Sequence, residues 1–130
     1  MKRFMLLTML TAILGAQQMT VSAVEQSAIG TPYLSGGIGE EELAQVRQAR
    51  GKYNVRLLFA EVSGAYITGV RVQIADGKGK TVLDVGSAGP YLFAKLPAGH
   101  YRIKATYEGR MKEQPLELQA DSPQEDIFRW

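Results

Sequence analysis

His100 is the only imidazole in this 130-residue chain, and there is no cysteine. Thiolate catalysis, disulfide scaffolds and Cys/His zinc centres therefore lack the groups they need. Ser87 and Asp84 could complete a Ser–His–Asp relay with His100 in composition, but no serine sits in a G-x-S-x-G setting. His100 precedes Tyr101 at an alternating position, so it is expected to face solvent. Glu40, Glu41 and Glu42 offer three carboxylates, yet successive helix residues diverge rather than converge on one cation. Asp76-Gly77-Lys78-Gly79-Lys80 lacks the alternating Asp/Asn ligands of a calcium loop and reads as a turn. Ser35-Gly36-Gly37-Ile38-Gly39 has the glycine density of a phosphate cradle. No strand pattern precedes it, however, and the three glutamates that follow repel phosphate. The residues thus predict no catalytic set, no metal and no cofactor, and the chain reads as a non-enzyme.

Charge and targeting narrow the setting. Lys2-Arg3 precedes an uncharged apolar run, Phe4 to Ala16, in the manner of an export signal. That run is too short to span a bilayer, which takes about 20 residues. Val21-Ser22-Ala23 offers small or compact residues for cleavage, with Ala16 as the second choice. Residues 1–23 are therefore expected to be a signal peptide, leaving no membrane anchor and a periplasmic or secreted product. Removing Lys2 and Arg3 from fifteen basic residues leaves thirteen, against thirteen acidic ones. A chain so balanced lacks the bulk attraction of a nucleic-acid binder.

The elements follow from hydrophobic period. Residues 24–39 hold four glycines, one proline and no sustained period, which predicts a flexible arm. Glu40 to Arg50 is the one convincing helix, with acids at its positive end, arginines at its negative end, and Gly51 placed as a cap. Its apolar stripe is only Leu43 and Val46, with Ala49 marginal, so it must dock or fray. Beyond Gly51 the period becomes two. Tyr53 to Ala60, Val70 to Ile74, Thr81 to Val85, Tyr91 to Leu96, Tyr101 to Tyr107, Met111 to Gln119 and Glu125 to Trp130 read as strands. Pro115 marks its strand as an edge or a bulge. About seven short strands with turn signals every eight to twelve residues predict an all-β antiparallel sandwich over residues 53–130, with the arm and short helix occupying 24–52.

Some of these residues go beyond a generic sandwich. Gly64 to Val72, Thr81-Val82-Leu83-Asp84, Gly89-Pro90-Tyr91-Leu92-Phe93 and Leu96-Pro97-Ala98-Gly99-His100-Tyr101-Arg102-Ile103 resemble the signature run of carboxypeptidase regulatory-like domains. The loop before Gly89 is longer than in that family. The resemblance implies an Ig-like, transthyretin-like (prealbumin-like) sandwich used as a non-catalytic module. It does not extend to the hydroxyisourate hydrolases of the same architecture, which use more than one histidine and a Tyr-Arg-Gly-Ser terminus where this chain has Phe128-Arg129-Trp130. The whole chain is also similar to small exported proteobacterial proteins.

The function expected on these grounds is protein–protein contact in the cell envelope. The expected docking residues are Tyr33, Leu34 and Ile38 on the glycine-rich arm, with Glu40, Glu41 and Glu42 supplying charge complementarity. The competing reading of the arm is that it packs across an open end of the sandwich. The alternative function is a small-molecule or carbohydrate-binding module that uses an aromatic-lined face. Most aromatics, Tyr53, Phe59, Tyr91, Phe93, Tyr101, Tyr107, Phe128 and Trp130 among them, fall at core-facing positions.

Overall fold

The computed structural model describes residues 24–26 and 30–130; the expected signal peptide lies outside the described residues. Two sheets face each other. Strands β1 (Val24–Gln26), β2 (Pro32–Gly36), β6 (Tyr91–Ala94), β3 (Val55–Ala60) and β9 (Gln124–Arg129) form sheet A in the order β1-β2-β6-β3-β9. Strands β5 (Thr81–Ala88), β4 (Val70–Asp76), β7 (Gly99–Tyr107) and β8 (Arg110–Leu118) form sheet B in the order β5-β4-β7-β8. The helix α1 (Glu40–Ala49) leads into a 3-10 turn at Arg50–Lys52. The protein is an all-β sandwich with one short helix. The seven strands expected over residues 53–130 are β3 to β9.

Alternation along each strand builds the core. Val55, Leu57 and Phe59 of β3 meet Val70, Val72 and Ile74 of β4, Leu83 of β5 and Ile103 of β7, all essentially without solvent exposure. Phe59, Phe128 and Trp130 pack ring to ring, at centroid separations of 5.8 Å for Phe59–Phe128 and 6.2 Å for Phe128–Trp130. The Trp130 indole Nε1 donates to the Arg110 carbonyl at 3.1 Å, tying the end of β9 to the start of β8. Leu96 is buried, as the turn around Pro97 requires. Asn54 supplies a peptide-like pair that periodicity does not reveal. Its Nδ2 donates to the Leu96 carbonyl at 2.7 Å, and the Leu96 N–H donates to its Oδ1 at 3.0 Å.

Gly51 does not cap α1: Arg50 is the C-cap and Gly51 lies within the 3-10 turn that follows. Three further expectations need correction. Residues 32–36 are a paired strand between β1 and β6, with Tyr33 opposite Ala94 and Leu34 opposite Phe93. They are not a flexible arm. Tyr33 faces the main core, whereas Leu34 faces the other way, into a second cluster with Val46, Tyr53 and Phe93. Sheet A is covered on both sides there, by sheet B and by α1, so both neighbours on β2 are apolar and no two-residue period shows. The second correction concerns direction. The first and last strands of the predicted sandwich, β3 and β9, pair in parallel, with Val55 opposite Gln124 and Ala60 opposite Arg129. The third is local: β5 continues through the expected loop to Ala88, with a register shift where β4 meets it between Val70 and Val72.

One edge of each sheet carries proline or charge. Sheet B ends at β8, which carries Pro115. Sheet A ends at β9, where Asp126 has the inward parity of Phe128. Burial pushes the Asp126 carboxyl above its ordinary pKa. Folding therefore favours the protonated acid. The penalty for the charged form is absent below the unfolded-state pKa, grows as pH rises toward the folded one, and stays constant above it. Asp126→Asn should accordingly raise the melting temperature at pH 7 and leave it unchanged near pH 3. A pH-independent difference would contradict this origin.

Candidate functional site

The helix organises one face of the molecule. Glu40, Glu41 and Glu42 stand in its first turn and Arg47 in its last, as the dipole favours. Its thin stripe does dock: Val46 is buried against Leu34, Tyr53 and Phe93 on the outward side of sheet A. Glu42 folds back, its Oε1 accepting from the N–H of Gly37 at 2.7 Å and of Ile38 at 3.2 Å. The protein's own carboxylate thus fills the amide cradle that an external anion would need. Gly37 has φ +115°, and a Cβ there would come 2.6 Å from Tyr91 Cδ2, so the glycine is required by both backbone and space.

Helix α1 covers only part of sheet A. Cross-strand partners share a face, so the register gives the rows beside it. The covered row runs through Phe93, Arg56 and Glu125. The next row is Tyr91, Leu58 and Ile127, and the last runs from Tyr66 through Ala60 to Arg129. Tyr66 is 56% exposed and Ile127 48%, while Tyr91 and Leu58 are half-buried and Ala60 is buried. The Tyr66 and Tyr91 rings meet edge to face at 6.0 Å. Burial, reinforced by a hydrogen bond with Tyr66, raises the Tyr91 phenol above its ordinary pKa; Arg47 and Arg50 lie close enough to oppose the shift.

Four arginines stand around this face, with Glu125 and, over Gly36 at the Tyr91 end, Glu42. Arg47, Arg50 and Arg129 are exposed, and Arg56 lies lower, its side chain only 16% exposed. Glu125 answers both Arg50 and Arg56, the latter with Nη1 to Oε2 at 3.1 Å. Burial, and then the Arg50 charge, lower the Arg56 pKa, and its Nε is buried without a hydrogen-bond partner. Removing the Glu125 charge strands Arg56, so Glu125→Gln should cost about 1–2 kcal/mol, between the limits for exposed and buried pairs. Chemical denaturation at low and high salt checks this; a loss that salt does not alter would argue against an ionic origin.

A concavity lies across the outward face of sheet B, with a volume of about 580 Å³. Gln73, His100, Arg102, Lys104, Glu113 and Glu117 line it. Across its strands Arg102 lies 3.7 Å from Glu113, and the His100 Nδ1 lies 3.9 Å from Glu117. Asp84 is committed to Arg71 at 3.2 Å. It stands level with Gln73 and Lys104, four residues along β7 from His100 and two strands away. Four residues of strand are about 13 Å, so Asp84 and His100 do not meet in a relay. Among the described residues no group of three or more His, Cys, Asp or Glu side chains is placed to hold a metal ion. Nor is any described helix long and apolar enough to cross a membrane.

The expected docking residues are dispersed by the fold. Tyr33 and Leu34 lie buried in the protein's own cores and cannot be offered to a partner while β2 stays paired. Ile38 is 61% exposed, Glu40 and Glu41 are exposed, and Glu42 is engaged with the chain before the helix. The aromatic face formed by Tyr66 and Tyr91, with Leu58 and Ile127, was not legible as a site. Tyr66 sits in a segment without period, and Leu58 and Ile127 look like ordinary strand residues. Trp130, the one tryptophan, is buried. No family model and no curated protein matches the chain.

Proposed function

We propose that this chain is a non-catalytic exported module that acts by protein–protein contact in the cell envelope, built on a carboxypeptidase regulatory-like sandwich. One observation carries the reading. On the side of sheet A where α1 buries Leu34 and Phe93, the described residues cover the adjoining row only in part: Tyr91 packs against the α1 cluster and Leu58 is half-buried, while Ile127 and the neighbouring Tyr66 stay exposed. Apolar side chains clustered on one solvent-facing patch gain most when a partner removes them from water. The leader-like segment Lys2 to Ala23 supports a periplasmic or secreted setting. The docking surface is thus this face rather than the arm.

A photo-crosslinking residue at Ile127 in intact cells tests the proposal. A discrete protein adduct is expected there, and none from the same residue at exposed Lys80 on the far hairpin. Absence of any protein adduct at position 127 would refute it. The exposed Tyr66 ring favours carbohydrate binding as the second reading. A glycan that raised the melting temperature on saturation, and lost that effect in Tyr66→Ala, would move the assignment there.

A further inference from the structure

The charges around the partly covered face say which kind of partner fits it. Arg47, Arg50 and Arg56 stand on the α1 side of the apolar row and Arg129 on the other. Two carboxylates lie at these rows and both are engaged, Glu125 by Arg50 and Arg56, and Glu42, over Gly36 at the Tyr91 end, by the Gly37 and Ile38 amides. Arg47 and Arg129 are left facing solvent with no intramolecular counter-ion among the described residues. The whole mature chain is near neutrality, so this concentration of arginine belongs to the face and not to the composition. Arginine is enriched at interface anchors because its planar fork matches a carboxylate with two hydrogen bonds.

The centre of the face favours a polypeptide over a sugar acid. Tyr66 and Tyr91 stand edge to face at an interplanar angle of 73°, so the pair offers a pyranose no shared flat platform. Leu58 and Ile127 fill the remaining row with aliphatic groups, which suit an apolar side chain. Building on the docking function proposed above, we infer that this face of sheet A takes an acidic segment of another protein. That segment places an apolar side chain on Tyr66, Leu58 and Ile127 and carboxylates against Arg47 and Arg129.

Benzoylphenylalanine at Tyr66 keeps an aromatic ring in the face and reports on its occupant. In the full chain, in intact cells, the crosslinked segment identified by mass spectrometry should carry Asp or Glu beside an apolar residue. Arg47→Glu with Arg129→Glu should cut adduct yield at least about tenfold, since like charges then face each other, while Arg47→Lys with Arg129→Lys, which keeps the charge and loses the bidentate fork, should cut it less. Both arginines are exposed, so the melting temperature should hold in either pair. Should the reversal unfold the protein, washing permeabilised cells with about 0.5 M salt before irradiation gives the same reading on the unaltered rim, because screening should lower the yield. A protein adduct through a segment without carboxylates, or a yield indifferent to both charge reversal and salt, overturns the acidic-partner inference and leaves the docking function intact. An adduct to a second copy of this chain, to lipid or to glycan also overturns it. No adduct of any kind removes both.

Discussion

A chain lacking residues 24–39 should lose at least about 5 kcal/mol of stability and fail to give a cooperative unfolding transition. The reason is the double burial of β2. Tyr33 contributes to the core between the sheets, and Leu34, 1% exposed, lies beneath α1. Their removal strips one side of β6, exposes Phe93 and leaves Val46 with less to dock against. The Ser35 hydroxyl, which accepts from the Gly89 N–H at 3.0 Å, goes as well. Leu34→Ala is the graded form of the experiment and should cost about 2–5 kcal/mol in urea unfolding, with an unchanged m-value. If either variant melted like the parent, β2 would be a free arm after all, and its residues would return as docking candidates.

Phe59→Ala should be the most damaging single truncation in the sandwich, costing about 3–5 kcal/mol. Phe59 is fully buried at the parallel junction of β3 and β9, against Phe128 and Trp130. Three rings packed together cannot collapse into the space one of them vacates, so most of the cavity would persist. Against a typical domain stability of about 5–15 kcal/mol, the variant would be marginal at body temperature. Thermal unfolding followed by tryptophan fluorescence reads both the loss and its location, because Trp130 is the only indole. A loss below about 1 kcal/mol would mean that the C-terminal strand packs less tightly than its geometry implies.

Local signals and long-range ones parted company along the chain. Val70, Val72 and Ile74 alternate with polar residues because one face of β4 meets the core and the other meets water. The same holds for β7, where Ile103 and Ala105 alternate with Arg102 and Lys104. Pro115 marked its edge strand, since it cannot donate to a further neighbour. Residues 32–36 gave no such signal, because a strand covered on both sides needs no alternation. The candidate face was hidden for a related reason. Leu58 and Ile127 are 69 residues apart and become neighbours only through the parallel pairing of β3 with β9. Tyr66 joins them through a single bridge to Ala60 from a segment without period.

By itself, the sequence determined the strand segments beyond Gly51, the helix with its charged ends, and the lack of thiol chemistry. Each of these depends on residue type or on spacing over a few positions. The tertiary structure alone decided that the glycine-rich segment contributes an inner strand, that Glu42 occupies its own amide cradle, and that α1 stops short of the Tyr66–Leu58–Ile127 face. Those outcomes depend on which faces of sheet A are already covered. Coverage is set by contacts between residues tens of positions apart, whose closure local propensity does not encode.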